Sequence, residues 1–187
     1  MRTVLLNLTA SLDGFIADTN GGIGWLAPMP AQVPAEYLEL MATVDTLVMG
    51  RATYETSLAL EGGVEIFAGK RVCVFTSRHN LEPIAGVTFV RESPESFVAR
   101  LKAEQGGTIW VFGGGQLATA LSDAGLIDEY LIAIQPVLLG EGIPLWRSPH
   151  GSTTLETVAA RVWEGGVVEL RYRRRRTIES DWPAPRG

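Results

Sequence analysis

Cysteine is almost missing from this chain: among 187 residues only Cys73 carries a thiol. One cysteine makes no internal disulfide, which excludes a disulfide-stapled scaffold and fits a reducing, cytoplasmic compartment. Cys73 stands in the apolar run Val72-Cys73-Val74-Phe75 and reads as a small buried hydrophobe. Histidine is nearly as scarce. His79 and His150 are far apart, and with one cysteine they do not compose a structural zinc site, so no metal is expected. No apolar run has the roughly 20 residues of a membrane helix. The opening Met1-Arg2-Thr3-Val4-Leu5-Leu6 could begin a signal peptide, but Asn7 and Asp13 interrupt any apolar region and no small-residue cleavage site follows. It is read as a first strand. A cationic surplus is lacking too: 16 Lys and Arg face 21 Asp and Glu, for a formal net charge of −5. No whole-molecule field favours nucleic acid or an anionic membrane, and a small-molecule ligand is expected.

What is present is an ordinary globular balance, 46% hydrophobic and 20% charged. The length suits one domain, taken as residues 1–176, with a flexible tail over 177–187 that carries two prolines and no periodicity. Thr3–Thr9, Leu47–Met49, Arg71–Thr76, Val87–Val90 and Thr108–Phe112 read as buried strands. Pro34–Thr43, Ala52–Leu58, Pro94–Glu104 and Gln116–Asp123 read as helices. The third has Ser93 as N-cap, Pro94 in its first turn and Gly106-Gly107 beyond its end. Tyr37, Leu38 and Met41 are expected to form the apolar face of the first helix. The glycine-rich stretch Ala10–Val33 reads as a long functional loop. The chain ends in strands at Glu129–Gln135, Thr153–Val162 and Val167–Arg175. Alternating strands and helices followed by strands alone predict an α/β fold, a mainly parallel sheet with an antiparallel finish and helices on both faces.

Two strand–glycine–helix junctions draw the eye, Val48-Met49-Gly50-Arg51-Ala52-Thr53-Tyr54-Glu55 and Ile109-Trp110-Val111-Phe112-Gly113-Gly114-Gly115-Gln116. Each sets glycine where a strand ends and a helix begins. Open N–H groups and the helix dipole favour an anion there, and a missing side chain lets a phosphate approach the backbone. Two such junctions on one sheet edge could grip the two halves of a dinucleotide diphosphate, with Arg51 as cation and Thr53 as hydroxyl donor. Singly, each is equally a place where glycine merely turns the chain. A third strand exit, Phe75-Thr76-Ser77-Arg78, suits a phosphate monoester, or is an ordinary polar end of a strand.

Together these segments resemble the dihydrofolate reductase superfamily, and most nearly the C-terminal reductase domain of the riboflavin-pathway deaminase-reductase. The resemblance spans about residues 3–175. Besides the two glycine junctions it rests on Ser11-Leu12-Asp13-Gly14-Phe15-Ile16-Ala17, on Ile127-Asp128-Glu129-Tyr130, and on Pro136-Val137-Leu138-Leu139-Gly140-Glu141-Gly142-Ile143-Pro144-Leu145. It implies an NADPH-dependent reductase acting on a small heterocycle, carbonyl or imine, with dihydrofolate reduction or NADPH binding without turnover as alternatives. It implies that Thr9, Ala10 and Ile16 line a nicotinamide pocket. Gly50, Arg51, Thr53 and Phe112 to Gln116, with Gly113, Gly114 and Gly115 between, would hold the diphosphate. Thr76, Ser77 and Arg78 would meet the adenosine 2′-phosphate, and Trp25 would stand in a mobile loop over the substrate.

Pro34-Ala35-Glu36 resembles the family's acid-bearing helix start, which makes Glu36 a candidate for binding substrate and handling its proton. It equally reads as an acid complementing the helix dipole. Asp13 is a second candidate acid, or a turn former before Gly14. Two departures argue against folate. Lys70 takes the place of the arginine that clamps a substrate carboxylate, and Ile132 that of a threonine steadying the acid. The deaminase half is not represented, since it needs a C-x-x-C. The run Arg171-Tyr172-Arg173-Arg174-Arg175-Arg176 reads as a charged strand end, since alternation sends half of it to each face. A homodimer is expected, partly from the resemblance and partly because Leu138, Leu139, Ile143, Leu145 and Trp146 add apolar groups that need a cover.

Overall fold

The structure is a computed structural model that describes residues 1–27, 33–60, 67–147 and 151–175. The expected tail therefore lies outside the described residues. An eight-stranded sheet has the order β5-β4-β3-β6-β1-β7-β10-β9. Its members are β1 (Val4–Ser11), β3 (Val44–Gly50), β4 (Arg71–Phe75), β5 (Val87–Val90), β6 (Thr108–Gly113), β7 (Glu129–Gln135), β9 (Leu155–Val162) and β10 (Val168–Arg174). Pairing is parallel from β5 through to β7, and β10 is antiparallel to both β7 and β9. The mainly parallel sheet with an antiparallel finish is thus observed, in the strand order of a dihydrofolate reductase-like fold.

Alternation decides which face each residue serves. Ile109 and Val111 of β6 join Leu6 of β1 and Tyr130 of β7 under α3 (Pro94–Ala103) and α4 (Gly115–Asp123). Trp110, between them in sequence, points the other way and packs with Leu47, Met49, Val74 and Tyr54 beneath α2 (Arg51–Ala59). Ser93 caps α3 by accepting the Ser96 N–H, as its sequence predicts.

Three expectations change. Ile132 belongs to the α3–α4 core, so it does not stand beside α1 (Ala35–Ala42), and the threonine comparison fails on strand alternation. Leu38 is exposed, while Tyr37 and Met41, four residues apart, reach the sheet at Asn7. Of the apolar groups expected on the surface near 137–146, Leu145 is buried in the core, while Leu138 and Trp146 stay exposed. Val158 and Val162 on the edge strand β9 are exposed as well.

The loop after β1 contains structure that periodicity did not show. β2 (Phe15–Ala17) pairs antiparallel with β8 (Ile143–Pro144) and forms a small second sheet. Asp13 ties this unit down. It accepts the Ser11 hydroxyl at 2.6 Å and the Gly140 N–H at 2.7 Å.

Candidate functional site

The parallel strands all deliver their C-terminal ends to one edge of the sheet, where side-chain packing stops and a ligand crevice opens. The cleft there has a volume of about 820 Å³, within the range of cofactor and small-molecule pockets.

Both glycine junctions meet in it. Gly50 and Gly114 occupy the N-cap positions of α2 and α4, and neither helix has a side-chain cap. The first N–H groups of each helix therefore lack an internal acceptor and face the same cavity. Gly50, Arg51 and Thr53 line it from one side, and Gly114, Gly115 and Gln116 from the other. The Arg51 guanidinium is steadied by Glu55 one helical turn on.

The three consecutive glycines do different work. Gly113 has φ +117°, a conformation that side-chain-bearing residues rarely adopt, and it turns the chain out of β6. Gly114 has an ordinary φ of −84°, and a Cβ there would stand 3.3 Å from Thr53 Oγ1 and 3.6 Å from Ile16 Cδ1. That position keeps the cradle between the two helices open. Gly115 is demanded by packing instead, because a Cβ would meet the Pro144 carbonyl oxygen at 2.3 Å. It seats α4 against β8.

The remaining expected residues divide. Thr9, Ile16 and Phe112 line the cleft. Ala10 is wholly buried in the core and off the wall. Phe75 reaches the wall, whereas Thr76, Ser77 and Arg78, which follow it in sequence, are not on it. The Arg78 N–H donates to Thr76 Oγ1 at 3.1 Å, and Arg91 donates to the carbonyls of Arg78 and His79. Trp25 is half-buried and not on the wall, although its neighbours Ile23 and Leu26 are.

Neither candidate acid is on the wall. The Glu36 side chain is 71% exposed and faces Arg161 at 3.6 Å. The helix phase that turns Tyr37 inward turns Glu36 out, about 100° away on the helix. Asp13 is held in its turn. The Ser11 hydroxyl and the N–H groups of Gly140 and Leu139 keep its carboxyl below the usual range against a smaller opposing effect of desolvation. A carboxylate so held clamps a loop and is poorly suited to carry a proton near neutral pH.

Sequence reading missed Asn7, Tyr37 and Arg147, all of which line the cleft. Asn7 had a visible signal, a polar residue within an otherwise apolar buried strand. Tyr37 had none, because an aromatic at helical spacing reads as core. Arg147 lies in the chain beyond the last apolar run and comes to the cleft only through the docking of β8 against α4.

Fold and cleft define a dihydrofolate reductase-like α/β protein with a crevice at the carboxyl edge of its sheet. The sequence matches the model of the RibD C-terminal domain over residues 2–168, and the chain belongs to that family. It is 36% identical to the uncharacterized protein YwjB of Bacillus subtilis (strain 168) over 171 residues, 91% of this chain and 97% of that protein. A solved structure from Shewanella sp. PV-4, ascribed to riboflavin biosynthesis, superposes with a TM-score of 0.78 at 29% identity, covering 93% of this chain and 99% of that one. Dihydrofolate reductase from Enterococcus faecalis, solved with NADP(H), superposes with a TM-score of 0.63 at 20% identity, covering 92% and 96%. That likeness is one of fold.

Proposed function

We propose that this protein is a reductase that takes its electrons from NADPH and acts on a small planar substrate in the same cleft. One observation carries the reading: two uncapped helix N-termini converge on a single cavity, with Arg51 and Thr53 beside the opening that Gly114 preserves. That is the donor set a diphosphate needs, with N–H groups, a hydroxyl and a guanidinium around a space no side chain fills. Arg51, Thr53 and the turn from Gly113 to Gln116 would hold the diphosphate. Thr76, Ser77 and Arg78 would meet the 2′-phosphate, and Thr9 and Ile16 would flank the nicotinamide. NADPH, when bound, supplies the hydride. The chain's own part is to orient the ring against β1, exclude water with Ile16, Ile23 and Leu26, and hold the substrate opposite.

Support for a 2′-phosphate contact is the exposed Arg78 at the exit of β4, beside the Thr76 and Ser77 hydroxyls. Fluorescence titration with NADPH and NADH tests the whole reading. Tighter NADPH binding, lost in Gly114→Val, is expected; equal and weak binding of both would overturn it. We further infer a cytoplasmic homodimer. NADPH is an intracellular reductant. Leu138 and Val162, 69% and 72% exposed, need a cover, and two-fold pairing is the commonest one. Light scattering that gives only the 20.2 kDa species would refute the dimer. Among the described residues no helix is long and apolar enough to cross a membrane.

A further inference from the structure

The end of the cleft away from the phosphate-binding helices differs from a folate-type site in the kind of polar group it offers. Arg51, Glu95 and Arg147 are the charged side chains on the described wall, and Arg51 and Arg147 belong to the α2 and α4 side. Glu95 sits at the start of α3 beside Pro94. Around β1 and α1 the wall is Leu8, Ile23, Leu26 and Trp110, with Asn7, Thr9 and Tyr37 as its polar members. From Gly24 to Tyr37 the sequence contains no Lys or Arg, and its one acid, Glu36, faces outward to Arg161. The nearby Arg171 is taken by Glu129 at 2.6 Å. No cation of this region is left to hold a substrate phosphate or carboxylate among the described residues.

Asn7 and Tyr37 are set for a ligand. The Asn7 amide donates to the Tyr37 hydroxyl oxygen at 3.4 Å and approaches Met41 Sδ at 3.8 Å. The phenol proton has no acceptor among the described residues, and the Asn7 side-chain carbonyl has no donor. The Asn7 main chain is held by β1 and by the Trp110 indole N–H, which donates to its carbonyl at 3.0 Å. Tyr37 is fixed by an edge contact with Trp163, ring centroids 6.0 Å apart. One donor and one acceptor thus stand side by side on an apolar wall. Burial, opposed by the Asn7 hydrogen bond and reinforced by the charge of Glu169, pushes the Tyr37 phenol above its usual value, so it remains protonated and donates.

We propose that Tyr37 and Asn7 form the substrate-recognition pair of this cleft, and that its substrate is an uncharged planar carbonyl compound whose oxygen accepts the Tyr37 phenol proton in a hydrogen bond. The proposal rests on the reductase reading for the word substrate, but the recognition itself needs no cofactor. The pair replaces a carboxylate by a neutral donor. A carboxylate would select a protonated nitrogen, whereas a phenol selects an oxygen lone pair. An anionic substituent would be desolvated here without a partner.

Isatin, a neutral bicyclic dione, serves as the probe, and quenching of tryptophan fluorescence is the readout because Trp110 lies on the wall. Titrations use saturating NADP+ so that the anion-binding end is filled wherever that cofactor binds. Isatin should bind, Tyr37→Phe should weaken it by about 10-fold as one lost hydrogen bond does, and the Kd for NADPH should not move. Isatin-5-sulfonate should bind at least about 10-fold more weakly than isatin. Absent isatin binding, equal affinity in Tyr37→Phe, or sulfonate binding as tight as isatin would each overturn the proposal. Loss of NADPH binding with isatin recognition intact would instead overturn the reductase reading and leave the recognition pair standing.

Discussion

The two edges of the sheet handle charge in opposite ways. At the edge where the parallel strands begin, charged groups satisfy one another. Arg2, whose side chain is 4% exposed, bonds Asp45, the Thr46 hydroxyl and the Gly107 carbonyl. Burial raises the Asp45 carboxyl, yet the Gly107 N–H, the Thr46 hydroxyl and Arg2 outweigh it and leave a net depression. Lys102 contacts both oxygens of Asp128 at 2.6 Å, and Asp128 accepts the Val4 N–H at 2.9 Å. At the edge where the strands end, the N-termini of α2 and α4 have no side-chain cap, and among the described residues the Tyr37 proton has no acceptor. One edge is closed by its own charges and holds the fold. The other leaves donors without a partner among the described residues.

If that division is right, substitutions at the closed edge should change stability and not binding. Arg2→Ala has the largest expected effect, about 3 kcal/mol, because it empties a buried site and leaves the Gly107 carbonyl and the Thr46 hydroxyl without their guanidinium donor. Denaturant unfolding should show the loss while the folded fraction binds NADPH with unchanged Kd. A shifted Kd would break the comparison. Gly114→Val is the reverse case. Its φ of −84° tolerates a side chain, so the fold should survive while NADPH affinity drops at least about 100-fold. Micromolar NADPH binding retained in Gly114→Val would sink the diphosphate assignment. The neighbouring Gly115→Ala sharpens the contrast, because the 2.3 Å approach to Pro144 makes its cost one of packing, about 1–3 kcal/mol of stability.

Smaller effects follow. Arg78→Ala should weaken NADPH by roughly 10-fold and leave NADH nearly unchanged, since only NADPH carries the phosphate it is proposed to meet. Equal losses for both cofactors would remove Arg78 from that role. Asp13, with its carboxyl held below the usual range, contributes stability that is present above its unfolded pKa and lost as pH falls through the lower folded value. Asp13→Asn should therefore flatten the acid limb of the unfolding curve below about pH 4 and change little at pH 7 beyond the loop clamp. Glu36→Gln should have the smallest effect of all. An exposed carboxylate paired with Arg161 contributes at most about 1 kcal/mol, and turnover should stay within a factor of about two of the parent. A loss of turnover of about 100-fold or more would restore Glu36 as the proton-handling acid.

Much of this was legible because it depends on local rules. The two glycine junctions lie at strand–helix boundaries that their own residues define, so Gly50, Arg51, Gly113 and Gly114 could be found without knowing how the strands are ordered. The helix over 94–103 declared itself through Ser93 and Pro94. The place of the candidate acid turns on something the local sequence does not carry. Glu36 and Tyr37 are adjacent in sequence, and only the rotation of α1 against β1 selects which of them faces the cleft. Ile132 was misassigned the same way, since a strand's phase relative to the sheet is set by its neighbours and not by its own run of apolar residues.

By itself the sequence determined the class of the fold, the approximate positions of the helix N-termini and, with one cysteine, the lack of a disulfide within the chain, because strand and helix periods, glycine junctions and residue counts are properties of the chain in one dimension. The tertiary structure alone decided which side chains share the cleft. Asn7 and Tyr37 are brought together across 30 residues, Arg147 reaches the wall through the β2–β8 unit, and Glu36 is turned away. The physical reason is that facing is a matter of phase. A helix rotated by one residue, about 100°, exchanges a carboxylate for a phenol, and that phase is fixed by packing against strands far away in sequence.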